Sequence, residues 1–83
     1  MLYNSIKESP NYPKGFTKRQ NGKTQHNINN NALLEMLREI ESGKWKKIYQ
    51  DGFDTSSRLI SIHYFQSPAG KVFDVKVKLG WSN

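Results

Sequence analysis

The fold turns on residues 58–79, RLISIHYFQ-SPAG-KVFDVKVKL. Residues 58–66 and 71–79 alternate apolar and polar side chains and are rich in β-branched and aromatic types, the pattern of strands that bury one face. Ser67-Pro68-Ala69-Gly70 between them is turn chemistry of a length that joins neighbouring antiparallel strands. Pairing Gln66 with Lys71 sets an expected register by counting. Tyr64 then faces Phe73, Ile62 faces Val75 and Ile60 faces Val77 on one side. On the other side Phe65 meets Val72, His63 meets Asp74, Ser61 meets Lys76 and Leu59 meets Lys78. A one-residue slip would exchange all these partners.

Working outward, residues 44–50 read as a further strand, with Asp51-Gly52 and residues 54–57 as the turn that follows. Before it, ALLEMLREIE (residues 32–41) places Leu33, Leu37 and Ile40 on one helical face, flanked by Leu34 and Met36. Asn30 or Asn31 offers an N-cap and Ser42-Gly43 a stop, so the pattern predicts a helix over 31–42. Its apolar stripe is expected to cover the Ile60, Ile62 and Tyr64 side of the sheet. Residues 1–30 lack a sustained period. Leu2, Tyr3 and Ile6 could form one helical turn that Pro10 and Pro13 end, and a short strand fits 24–28. The rest reads as a basic arm or loop anchored by Tyr12, Phe16 and Ile28. The expected fold is α+β, in one domain over 1–83: a main helix packed on a small antiparallel sheet of three to four strands, with an N-terminal basic arm.

Composition narrows the function. The 83 residues carry 13 Lys+Arg against 7 Asp+Glu, a net charge of +6, with no Cys and 2 His. A Cys nucleophile, a disulfide framework and a Cys-based zinc site are excluded. Two histidines far apart make a structural metal site unexpected, and no cofactor is expected. No run approaches the ~18 apolar residues of a membrane span, and no secretion leader is visible. The charge is sorted by segment: Lys14, Lys18, Arg19 and Lys23; then Lys44, Lys46 and Lys47; then Lys71, Lys76 and Lys78, against acids at Glu35, Glu39 and Glu41. Such a surface favours a polyanion.

The candidate site follows from the expected register. A His directly across from an Asp is oriented by it and has its imidazolium favoured, and Lys76 and Lys78 share that face with His63 and Asp74. An ordinary solvated face of a two-layer domain shows the same residue types, and His63–Asp74 then contributes only ~0.2–1 kcal/mol as a cross-strand pair. His26 joins the site if the arm folds across this face, and two histidines can divide the acid and base roles of a phosphodiester transfer. Trp45, among Lys44, Lys46 and Lys47, could stack on an unpaired base or fill the core.

The stretches GKWKKIY (43–49), SIHYF (61–65) and GKVFDVKVK (70–78), in a small basic chain without Cys, resemble the barnase, colicin-ribonuclease and RelE group, as found in the C-terminal domains of bacterial polymorphic toxins. The resemblance spans residues 31–83 and is one of style and topology. It implies a metal-independent endoribonuclease that cleaves RNA, such as tRNA, by attack of a 2′-hydroxyl on the adjacent phosphorus. His63 would be the acid or base, oriented by Asp74, with Lys76, Lys78 and Arg58 stabilising the phosphate charge and His26 in support. Lys14, Lys18, Arg19, Lys23, Trp45 and Lys47 would hold the RNA. The chain departs from a barnase-like site in placing no Glu on this face. The implied setting is the bacterial cytoplasm, after delivery to a target cell, and the implied partners are RNA and an acidic immunity or antitoxin protein. A non-catalytic nucleic-acid-binding module and a small basic inhibitor of another protein are the competing readings.

Overall fold

The computed structural model describes residues 6–82. Leu2 and Tyr3, read as part of a helical turn, lie outside them. One helix packs against a four-stranded antiparallel sheet, an α+β fold. In chain order the elements are β1 (Thr17–Asn27), α1 (Asn31–Ile40), β2 (Lys46–Phe53), β3 (Leu59–Gln66) and β4 (Val72–Leu79). The strands lie side by side in sequence order.

The helix starts where the sequence places it. The Asn30 side chain accepts a hydrogen bond from the Leu33 amide at 3.1 Å, a partner for one of the unpaired amides of the first turn. It ends two residues early, with Glu41 in extended conformation and Gly43 at φ +114°, a backbone angle that favours glycine. Glu41 does more than close the helix. Its carboxylate accepts from the Ser67 hydroxyl and the Ala69 amide, both at 2.9 Å, and so ties the helix to the β3–β4 turn.

Two expectations about the sheet are corrected. Residues 17–27, read mostly as arm or loop, form the full-length edge strand β1. Strand β2 also runs past Gln50 through Asp51 and Gly52 to Phe53, and the turn begins only at Asp54. Asp54 closes that turn, accepting from the amides of Ser56 and Arg58 and from the Arg58 guanidinium. Gly52 is a strand residue because the Phe16 ring and the Thr17 carbonyl occupy the space a Cβ would need.

The apolar layer is Ile48, Ile60, Ile62, Tyr64 and Val72. At about 1.5–3 kcal/mol for each large side chain removed from water, this face supplies much of the folding free energy. Its cover is not the helix, as expected, but the N-terminal segment. Tyr12 and Phe16, stacked at 5.1 Å, pack on the cluster together with Val75. Burial and then the Tyr12 phenol beside it hold the Tyr64 phenol well above its ordinary value. Lys7 continues across the layer and exchanges two 2.7 Å backbone hydrogen bonds with Val72. The helix buries Leu37 elsewhere, and Trp45, 1 % exposed, donates its indole N–H to the Glu41 carbonyl at 2.8 Å. Leu33 shares a cavity with Lys47, Tyr49 and Phe65, so the first turn of α1 sits at one end of the opposite face.

Candidate functional site

That opposite face is built in cross-strand rows. Along β2 it carries Lys47, Tyr49, Asp51 and Phe53, and these meet Phe65, His63, Ser61 and Leu59 of β3. On the far side of β2, His26 of β1 meets Lys47 and Thr24 meets Tyr49. On the far side of β3, Lys76 meets His63 and Lys78 meets Ser61.

The expected His63–Asp74 pairing is therefore overturned. His63 lies across from Lys76, Ser61 from Lys78 and Phe65 from Phe73. Two one-residue shifts cause this: the turn closes with Ser67 bonded to Lys71, so that Gln66 meets Val72 rather than Lys71, and a β-bulge in β4 centred on Asp74, which takes φ +59°, adds the second. The first shift turns Phe73 onto the His63 face, where it stacks on Phe65 at 6.2 Å, and the extra residue of the bulge then brings Lys76 rather than Val75 opposite His63. The bulge leaves Asp74 beside Lys76, at 3.3 Å from its ammonium, rather than across from the imidazole. Val77, expected on the core side, and Leu79 two residues on are 52 % and 85 % exposed because the N-terminal cover does not extend over the end of this edge strand.

Three rings cross the centre of the face. His63 stacks on Tyr49 at 4.0 Å between centroids and 25°, and His26 tilts against the other side of Tyr49 at 4.6 Å. The Lys47 ammonium lies 5.3 Å from the Tyr49 centroid. Nε2 of His26 is within 3.1 Å of the Thr24 hydroxyl, and Nε2 of His63 is within 3.0 Å of the Ser61 hydroxyl. Beside the rings lies a cavity of about 140 Å³ lined by Lys47, His63, Phe65, Asp74, Lys76 and Lys78. A second, of about 500 Å³, takes in His26, Leu33 and Tyr49 and shares Lys47 and Phe65 with the first.

This setting reverses the expected electrostatics of His63. Partial burial, then Lys47 and Lys78, push its pKa below the ordinary 6.5, with Asp51 opposing and His26 adding to the depression. The ring is thus favoured neutral, the form a general base needs. The linkage has a defined sign. As pH falls, the unfolded chain takes up this proton first. The stability contributed by neutral His63 is therefore complete above pH 6.5 and is lost as pH drops through the lower folded-state value. Urea midpoints measured from pH 8 to pH 4 are expected to decline less steeply below about pH 6.5 in His63→Gln than in the parent chain.

The structure brings His26, Lys47, His63, Asp74, Lys76 and Lys78 onto one face, and it separates the other candidates from them. Trp45 is buried and presents no ring face to a base. Arg58 pairs with Asp54 at 2.8 Å in the β2–β3 turn. Lys18 lies over Tyr12, 5.0 Å from its centroid, on the side of the apolar layer, and Lys23 pairs with Gln50 on that same side. Lys14 is exposed in the turn before β1. Arg19 lies over the Trp81 indole at 3.9 Å, with Asp51 4.0 Å away, at the end of the face remote from the helix. There Trp81 donates its indole N–H to the Gly52 carbonyl and packs edge-on against Phe53.

Tyr49 and Asp51 are the members that reading the sequence missed; Ser61 is expected on this face but without a role. The alternation Lys47, Tyr49, Asp51, Phe53 was the available signal, masked by the turn-like Asp51-Gly52 pair. Among the described residues no three His, Asp or Glu side chains come together as a metal site requires, and no helix is long and apolar enough to cross a membrane. No family model, curated protein or solved structure matches this chain.

Proposed function

We propose that the chain is an endoribonuclease domain working by transphosphorylation, of the kind carried by bacterial toxins that act in the cytoplasm of a target cell. The observation that supports this most is the pairing of two imidazoles across one tyrosine ring, on a face with three lysines. Neutral His63 takes the proton of a 2′-hydroxyl, and that oxygen bonds to the adjacent phosphorus. Exposed His26 delivers a proton to the departing 5′-oxygen as its bond to phosphorus breaks. Lys47, Lys76 and Lys78 stabilise the charge that builds on the non-bridging oxygens. Asp74 holds the Lys76 ammonium at 3.3 Å. The products are a 2′,3′-cyclic phosphate and a free 5′-hydroxyl, so atoms and protons balance without a further reactant. A net charge of +6 suits an acidic immunity or antitoxin protein laid over the same lysines.

The test is incubation of the pure protein with total RNA in EDTA, followed by end-group analysis. Fragments ending in cyclic phosphate are expected. RNA recovered intact after tight, salt-sensitive binding would overturn cleavage and leave a nucleic-acid-binding module. Absence of any affinity for RNA would overturn both.

A further inference from the structure

We infer that the larger of the two cavities on this face is a base subsite, and that it takes a purine of the nucleotide that follows the cleaved bond. The strand rows set the two cavities side by side. His26 of β1, Lys47 of β2 and Phe65 of β3 form one cross-strand row. Tyr49, His63 and Lys76 form the next. Lys47 and Phe65 line both cavities, so a ligand that enters one reaches the other across that first row.

The two linings differ in kind. The smaller, of about 140 Å³, gathers the ammoniums of Lys47, Lys76 and Lys78 around His63, with Asp74 as its one acid. That is a setting for a phosphate. The larger, of about 500 Å³, has apolar walls in Leu33, Tyr49 and Phe65, each only half-buried, and amides at Asn27 and Asn30. Apolar walls with a few polar groups suit a flat, uncharged ring that carries a polar edge. Single-stranded RNA offers such a ring when an unpaired base is splayed out against aromatic side chains.

The amides favour a purine. The Asn27 oxygen accepts from the Lys46 ammonium at 2.6 Å, and the Asn30 oxygen from the Leu33 amide at 3.1 Å. With both oxygens engaged, what these side chains keep for a ligand is N–H donors. Both purines present an N7 acceptor that no pyrimidine has. Two fused rings also cover more of the apolar wall than one.

The order of the nucleotides follows from the histidines. His63 is partly buried among the three lysines of the smaller cavity, whereas His26 is exposed and lines the larger one. In the reaction proposed above, His63 stands at the 2′-hydroxyl and His26 at the departing 5′-oxygen. That oxygen belongs to the following nucleotide, so its base lies on the His26 side, over Leu33 and Phe65. This order rests on that reading, whereas the base subsite does not.

Short dinucleotides separate the two. With 2′-deoxyribose on the first nucleotide there is no nucleophile, and binding to the labelled full chain is read by ¹H–¹³C shifts. Deoxycytidylyl-adenosine is expected to move the Leu33 methyl and Phe65 ring signals. It is also expected to bind about 10-fold more tightly than its all-cytosine counterpart, within the range that one stacked base contributes. With ribose throughout, cytidylyl-adenosine and adenylyl-cytidine have the same composition and charge and differ only in order. The first is expected to be cut with a kcat/KM about 10-fold higher, the same base contact being made. Leu33→Ala, which leaves the histidines and lysines in place, is expected to erase both differences while adenylyl-cytidine is still cut. Should that variant not fold, the parent chain with these probes decides the matter. Unmoved Leu33 and Phe65 signals, or equal affinity for the two deoxy probes, overturns the subsite. Cleavage without preference for the purine in second place overturns it too and leaves the ribonuclease reading standing. The expected binding with neither ribose isomer cut would uphold the subsite and overturn the ribonuclease reading.

Discussion

His63→Ala is expected to reduce RNA cleavage by about 10²–10⁴-fold, the range associated with one positioned base. The ring is the only imidazole on this face that is partly buried, held between the Tyr49 ring at 4.0 Å and the Ser61 hydroxyl at 3.0 Å. Burial and the flanking Lys47 and Lys78 favour its neutral form, which leaves a ring lone pair free to accept a proton. Truncation also removes the stacking partner of Tyr49, an aromatic contact worth about 0.5–1.5 kcal/mol. The urea midpoint should accordingly drop only modestly, and circular dichroism should be unchanged. RNA affinity, which the lysines carry, should remain within a few fold of the parent. Full cleavage by a folded His63→Ala protein would remove His63 from the chemistry. His26→Ala, acting on an exposed ring, should slow cleavage without a measurable change in stability.

Trp45→Ala is expected to cost about 3–5 kcal/mol, the range for removing a large buried aromatic. Trp45 is the largest of the fully buried side chains, and its indole N–H is paired with the Glu41 carbonyl at 2.8 Å. A domain of this size has only ~5–15 kcal/mol in hand, so the variant should be largely or wholly unfolded at moderate temperature. Trp45→Phe retains most of the packing and loses the hydrogen bond, and should fall between the two. Chemical denaturation followed by circular dichroism ranks the three proteins. Had Trp45 stacked on a base, its alanine variant would instead bind RNA weakly while melting like the parent chain.

How much of this was legible depended on which physical rule governed each segment. The helix was readable because Asn30, Leu33, Leu37, Ile40 and Gly43 each satisfy a local requirement for capping, burial or stopping. The β3–β4 hairpin was readable from alternation and its Ser67-Pro68-Ala69-Gly70 turn. Its register was not, because the turn closes on Ser67 and Lys71 rather than on Gln66 and Lys71, and the bulge depends on Asp74 entering the left-handed region, neither of which alternation reveals. Strand β1 was mostly hidden because an edge strand with most side chains in water needs no apolar period, and TKRQNGKTQHN has none. Strand β2 was cut short because Asp-Gly is ordinary turn chemistry in isolation. Only tertiary context shows that this Asp is buried beside Ser61 and this Gly lies under Phe16. The histidines, Asp74 and the lysines were placed on one surface by reading residues, yet the partner of His63 came out wrong by two residues, one lost at the turn and one in the bulge.

The crossing of the apolar layer by the N-terminal segment bears on how the protein acquires its structure. Lys7 is bonded to Val72, and Ser82 to Asp51, so both margins of the described segment are fastened to strands far away in sequence. Contacts this non-local slow the folding barrier, since large loops must close before the burial they permit is gained. During synthesis, the Tyr12 and Phe16 rings have no complete surface to cover until β4 has left the ribosome. A nascent chain therefore stays open until residues 72–79 are available, and its cleft is assembled only in the same step that seals the interior.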